Sequence, residues 1–122
     1  MNWGFLGAAL ARAVSAAAGT KYPELPELSR NSALTYAEEG RGGRIFYSRE
    51  GKQFSMYFEF GGPSTVALIW IPNKSEWVAQ TGLPLLQRDA VLHFIARQVI
   101  ADKTSTRQNR YEISDDCITI FD

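Results

Sequence analysis

The sequence predicts an α+β domain: a mainly antiparallel sheet of five to six strands, one long helix packed across it, and an additional N-terminal helix. Three observations carry this expectation. Phe54, Met56, Phe58 and Phe60 alternate with Ser55, Tyr57 and Glu59, the period-2 pattern of a strand with one buried face. After the turn Gly61-Gly62-Pro63, the run Val66-Ala67-Leu68-Ile69-Trp70-Ile71 is apolar on both faces, which places it at the centre of a sheet. Further on, Val91, Leu92, Ile95 and Val99 recur at the spacing of a helix face.

Taken in order, residues 1–20 form an alanine-rich segment with an amphipathic pattern. At 100° per residue Trp3, Leu6, Leu10 and Val14 share one stripe, flanked by Ala13 and Ala17. Arg12, Ser15 and also Phe5 lie on the other side. Arg12 interrupts an apolar run too short to span a bilayer, and no cation precedes the run as a signal peptide requires. The stripe therefore calls for docking, on the domain or on a second copy through the same four residues. Peripheral membrane contact and a cleaved export signal are the competing readings, and membrane attachment is not the expected one. Gly19 stops the helix, and residues 21–31, with Pro23 and Pro26, make an extended connector.

Residues 32–122 are the α+β body. Ala33–Glu38 and Arg44–Arg49 read as the first two strands, joined by Gly40-Arg41-Gly42-Gly43, and Glu50-Gly51-Lys52 is an acid-glycine hairpin turn into the third. Ser75 is a candidate cap for a short helical turn, Glu76–Gln80, that presents Trp77; Thr81-Gly82 ends it. The main helix runs from about Leu86 to Ala101, with Leu86, Ala90, Phe94 and Ala101 widening its buried face. Its polar ridge is Asp89, His93 and Arg97, spaced i, i+4, i+8. Tyr111–Ile113 and Cys117–Phe121 close the chain as short strands around Asp115-Asp116.

Composition bounds the function. The 122 residues make one domain, and 13 basic residues balance 13 acidic ones, so no global field draws the protein to nucleic acid or an acidic membrane. A single cysteine, Cys117, excludes an internal disulfide and most structural zinc sites. Its apolar surroundings read as a small buried hydrophobe, and the chain suits a reducing, cytoplasmic setting.

Candidate functional residues are few. His93 is the only histidine, and Asp89 one turn before it could orient the imidazole as a general base. No nucleophile, second metal ligand or glycine-rich loop accompanies it, so a solvated ridge with paired charges is the simpler reading. Neither catalytic nor metal-binding residues are assigned, and no cofactor is expected. Gly40-Arg41-Gly42-Gly43-Arg44 resembles an arginine-glycine box in a single copy, between two strands and beside Glu38-Glu39. A hairpin turn explains it better than RNA or phosphate binding. The residues expected to meet a protein partner are Tyr47, Tyr57, Glu59 and Trp77. Two matters stay open: whether the face carrying Tyr57 is exposed or covered by the N-terminal helix, and whether Trp77 anchors a partner or pins its own turn.

Tyr36-Ala37-Glu38-Glu39-Gly40-Arg41, Glu59-Phe60-Gly61-Gly62, and Trp77 followed by Thr81-Gly82-Leu83-Pro84-Leu85 and the helix around Ile95 form a further pattern. Over Thr35 to Ile120 it resembles small α+β immunity proteins of bacterial toxin systems. The resemblance implies a non-enzymatic inhibitor that binds a cognate toxin. The alternatives are a small enzyme or ligand-binding domain using His93 and Asp89, and a structural protein that self-assembles through the N-terminal helix.

Overall fold

The computed structural model describes residues 31–61, 65–104 and 110–121. The expected N-terminal helix and most of the connector lie outside the described residues. Within them the architecture is α+β: an open antiparallel sheet of six strands and one long helix. The strands are β1 (Ser32–Glu39), β2 (Gly42–Arg49), β3 (Lys52–Phe60), β4 (Thr65–Trp70), β5 (Tyr111–Ile113) and β6 (Cys117–Phe121), in the order β1-β2-β3-β4-β6-β5. The helices are α1 (Trp77–Thr81) and α2 (Arg88–Lys103), with a 3-10 turn, Leu85–Gln87, between them.

Turn chemistry sets the meander. Arg49 pairs with Lys52, leaving a two-residue loop in which Glu50 (φ 51°) and Gly51 (φ 82°) are both left-handed. That is the loop whose twist matches antiparallel strands. Glu39 pairs with Gly42, so the first loop is only Gly40-Arg41 and β2 begins two residues earlier than the glycines suggested. Gly42 needs its bare Cα: an added Cβ would lie 2.6 Å from the Phe58 carbonyl oxygen and 3.1 Å from the Tyr57 hydroxyl.

The register sorts side chains onto two faces. Ile45 pairs with Met56, Tyr47 with Phe54, Phe58 with Ile69, and Ile69 with Ile118. These residues are buried, as are Val91, Leu92, Ile95, Ala96 and Val99 of α2, and together they make the core. Phe94 reaches Tyr47 edge-on at 6.0 Å, and the Tyr36 hydroxyl of β1 donates to Asp102 at 2.7 Å. Burial and this carboxylate push the Tyr36 phenol well above its ordinary pKa. Lys103 pairs with Glu38, so the C-terminal end of α2 is tied to the edge strand.

α1 seals one end. Asn73, in place of the expected Ser75, caps the preceding turn: its Oδ1 accepts the Glu76 N–H at 3.0 Å and the Ser75 hydroxyl at 2.8 Å. Trp77 is wholly buried, stacks edge-on against Phe54 at 5.5 Å and donates its indole N–H to the Pro84 carbonyl. Gly82, left-handed at φ 74°, ends the helix and donates its N–H to the Val78 carbonyl. Leu86 is exposed, and α2 proper starts at Arg88.

Candidate functional site

Residues that alternate away from the core make the second face of the sheet, and among the described residues no helix packs on it. Ala37 pairs with Arg44, Arg44 with Tyr57, and Trp70 with Cys117. Tyr57 and Trp70 close the row with ring centroids 5.8 Å apart. Ala37, Arg44, Tyr57, Trp70 and Cys117 thus form one line across five strands. Beside it runs a second line, Glu59–Leu68–Thr119–Glu112. Tyr57 is 46% and Trp70 41% exposed, while Leu68, Val66, Phe46 and Phe121 are half-buried. Each ring could bury a large area against a partner.

The four residues expected at an interface are divided by this face. Tyr57 and Glu59 stand on it. Tyr47 does not: it pairs with Phe54, is wholly buried, and shares a hydrogen bond of 2.8 Å with the Ser32 hydroxyl. Burial raises its pKa. Trp77 is equally buried and pins its own turn, so neither it nor Tyr47 can touch a partner of the folded protein. Sequence reasoning passed over Trp70 and Arg44, although continuing the Tyr57 register one strand further reaches Trp70. Cys117, expected in the core, is half-buried at the end of the open row.

The polar ridge of α2 borders a separate open cleft of about 540 Å³, lined by Lys74, Arg88, Asp89, His93, Tyr111 and Asp115 among others. His93 and Asp89 do share it. The Nδ1 partner of His93, however, is the Tyr111 hydroxyl at 2.7 Å, with the rings edge-on at 5.6 Å. Burial of the ring, helped by Arg97, holds the His93 pKa below its usual value against the opposing pull of Asp89. The Tyr111 phenol is raised by burial, and a hydrogen bond with Arg97 opposes that. The 2.7 Å contact engages Nδ1 with the phenol, and which of the two atoms donates depends on the imidazole tautomer.

Arg88 is buried at the wall of the cleft. It donates to the Pro72 carbonyl from Nε (3.3 Å) and Nη2 (3.0 Å), and to the Asp115 carbonyl at 2.8 Å. Its guanidinium lies 5.9 Å from the centre of the Trp77 ring. Those contacts clamp the loop after β4 to the β5–β6 turn, a structural task. Among the described residues no three His, Cys, Asp or Glu side chains gather to hold a metal ion. Nor is any described helix long and apolar enough to cross a membrane.

Comparison of the chain with protein-family models, curated proteins and solved structures finds no match.

Proposed function

We propose that this chain is a non-enzymatic protein-binding domain whose partner docks on the open sheet face. The observation that supports this most is the row Arg44–Tyr57–Trp70, with the two rings in contact and exposed on a rigid central part of the sheet. Tyrosine, tryptophan and arginine are the side chains that dominate binding energy at protein interfaces, and strands hold them without the ordering cost of a loop. Glu59 and Glu112 in the neighbouring line would select a partner with basic groups at the rim. The resemblance to immunity proteins refines the proposal: the partner would be a bacterial toxin, and binding would inhibit it.

The test is a comparative capture from native lysate with purified protein as bait. Wild type and His93→Ala should each retain the same single stoichiometric protein, and Tyr57→Ala/Trp70→Ala should lose it. Equal recovery on the double variant, or recovery of chaperones alone, overturns the proposal. The cleft supports a second reading, a small-ligand site using Lys74, Asp89 and His93. It predicts that His93 ring resonances shift on adding metabolite mixtures; invariance of those resonances removes it.

A further inference from the structure

The cleft beside α2 is built from segments remote in sequence. Lys74 comes from the loop after β4, Arg88, Asp89 and His93 from the first turns of α2, and Tyr111, Ile113 and Asp115 from β5 and the turn after it. Arg88 binds these segments together by holding the carbonyls of Pro72 and Asp115. The hydrogen bond between Tyr111 and His93 adds a second tie, from β5 to α2. The walls are thus set before a ligand arrives, which removes an ordering cost from binding. A volume of about 540 Å³ falls among those of small-molecule sites, about 300–1,000 Å³.

The lining carries both signs of charge. Lys74 and Arg88 are cationic, Asp89 and Asp115 anionic. Arg88 is only 4% exposed, yet its hydrogen bonds use Nε and Nη2; Nη1 makes none of them and is not among the side-chain atoms sealed from solvent. A guanidinium held by part of its fork keeps the rest for a carboxylate. Asp115 does not use that capacity, since it lies 3.9 Å from Nη2 and its side chain is 68% exposed. Lys74 and Asp89 are exposed, and neither is in an ion pair among the described residues. A ligand of one sign would meet attraction and repulsion together, whereas one with both signs finds a partner for each. Tyr111 and Ile113, both half-buried, supply the apolar part of the wall.

We infer that the cleft binds a zwitterionic α-amino acid with an apolar side chain: its carboxylate on Lys74 and Nη1 of Arg88, its ammonium on Asp89, its side chain against Tyr111 and Ile113. This inference rests on the small-ligand reading of the cleft and uses no residue of the open sheet face. Inorganic phosphate is the poorer fit, because Asp89 and Asp115 line the same space with like charge.

His93 is the only histidine, so its ring resonances report on the cleft in the full-length chain, followed at fixed pH. L-phenylalanine and L-leucine should shift them saturably, with a dissociation constant on the order of 1 mM for so open a site. Phenethylamine lacks the carboxylate and 3-phenylpropionate the ammonium. Each should bind at least about tenfold more weakly than L-phenylalanine, the loss of one charge-assisted contact. Asp89→Asn should bring L-phenylalanine down to the affinity of 3-phenylpropionate, and Lys74→Gln should weaken it toward that of phenethylamine. Both positions are exposed, and a melting curve checks that each variant keeps its fold. The inference is overturned if neither amino acid gives a saturable shift up to about 20 mM. It is equally overturned if 3-phenylpropionate or inorganic phosphate matches L-phenylalanine, or if either variant binds L-phenylalanine as wild type does. Where other metabolites move the His93 resonances and amino acids do not, the small-ligand reading stands and this inference falls. Where nothing moves them, both fall.

Discussion

Ile69 and Leu68 are adjacent on β4 and face opposite ways, and their energetics should differ accordingly. Ile69 is fully buried between Phe58 and Ile118, so Ile69→Ala should destabilise the domain by about 2–5 kcal/mol. A central position in the sheet alone would assign the same cost to Leu68. Because Leu68 is only half-buried on the open face, Leu68→Ala should cost roughly half as much or less. Urea melts of the two variants check the order, and a reversal would put the core on the other face. His93 carries a second residue-scale prediction. Its folded pKa is depressed, mainly by burial of the ring, so the unfolded chain takes up a proton first as pH falls. His93 therefore contributes stability that is present above the unfolded value of about 6.5 and lost as pH drops toward the lower folded pKa. Thermal melts from pH 7.5 to 5 should decline more steeply for wild type than for His93→Gln. A steeper decline in the variant would mean that the charged imidazole is the stabilised form.

At the scale of elements, the short helix α1 and the start of α2 depend on a few polar contacts that hold connecting loops in place. Arg88 satisfies the carbonyls of Pro72 and Asp115, while its ion pair with Asp115 is long, 3.9 Å, and the Asp115 side chain is exposed. The carbonyl contacts carry the weight, since an exposed pair at that distance contributes little. Arg88→Ala should cost about 2–4 kcal/mol, and Arg88→Lys should recover only part because a lysine cannot reproduce the forked geometry. Asp115→Asn, by contrast, should stay within about 0.5 kcal/mol of wild type. Chemical denaturation of the three variants checks the ranking; a large effect at Asp115 would show that the charge pair matters more than the carbonyls. Local chemistry was readable in this region where the chain itself sets the geometry. Thr81-Gly82 stops α1 as its sequence indicates, with the Thr81 hydroxyl donating to the Trp77 carbonyl and accepting the Leu83 N–H. The cap moved from Ser75 to Asn73 because an asparagine oxygen two residues earlier reaches both the turn N–H and the serine hydroxyl.

For the whole molecule, the sheet order places β3 and β4 innermost and leaves β1 and the three-residue β5 at the edges. Amide hydrogen exchange should reflect that order. The amides of β3 and β4 should exchange by the slowest, near-global opening, and those of β5 among the fastest of the strands. Uniform protection across all six strands would contradict an open sheet with a short terminal edge. The same order explains the face with two aromatic rings in view: one helix 16 residues long can cover only one side of the sheet.

The sequence by itself determined the pieces: hairpins from acid-glycine and glycine turns, strands from period-2 alternation, a long helix from 3.6-residue spacing, and their α+β combination. Each of these follows from local backbone preference and from which side chains avoid water. It also narrowed the candidate site to aromatic strand residues and the His93 ridge. Tertiary structure decided which of those residues meet solvent. Tyr47 and Tyr57 have the same chemistry and both lie in strands, yet pairing with Phe54 sets one in the core, and pairing with Arg44 sets the other on the open face. Likewise, Asp89 is four residues from His93 in the chain, but Tyr111, 18 residues away, takes Nδ1 once β5 is brought beside α2. Pairing and register are properties of strands that meet across the sheet, so no single segment carries them.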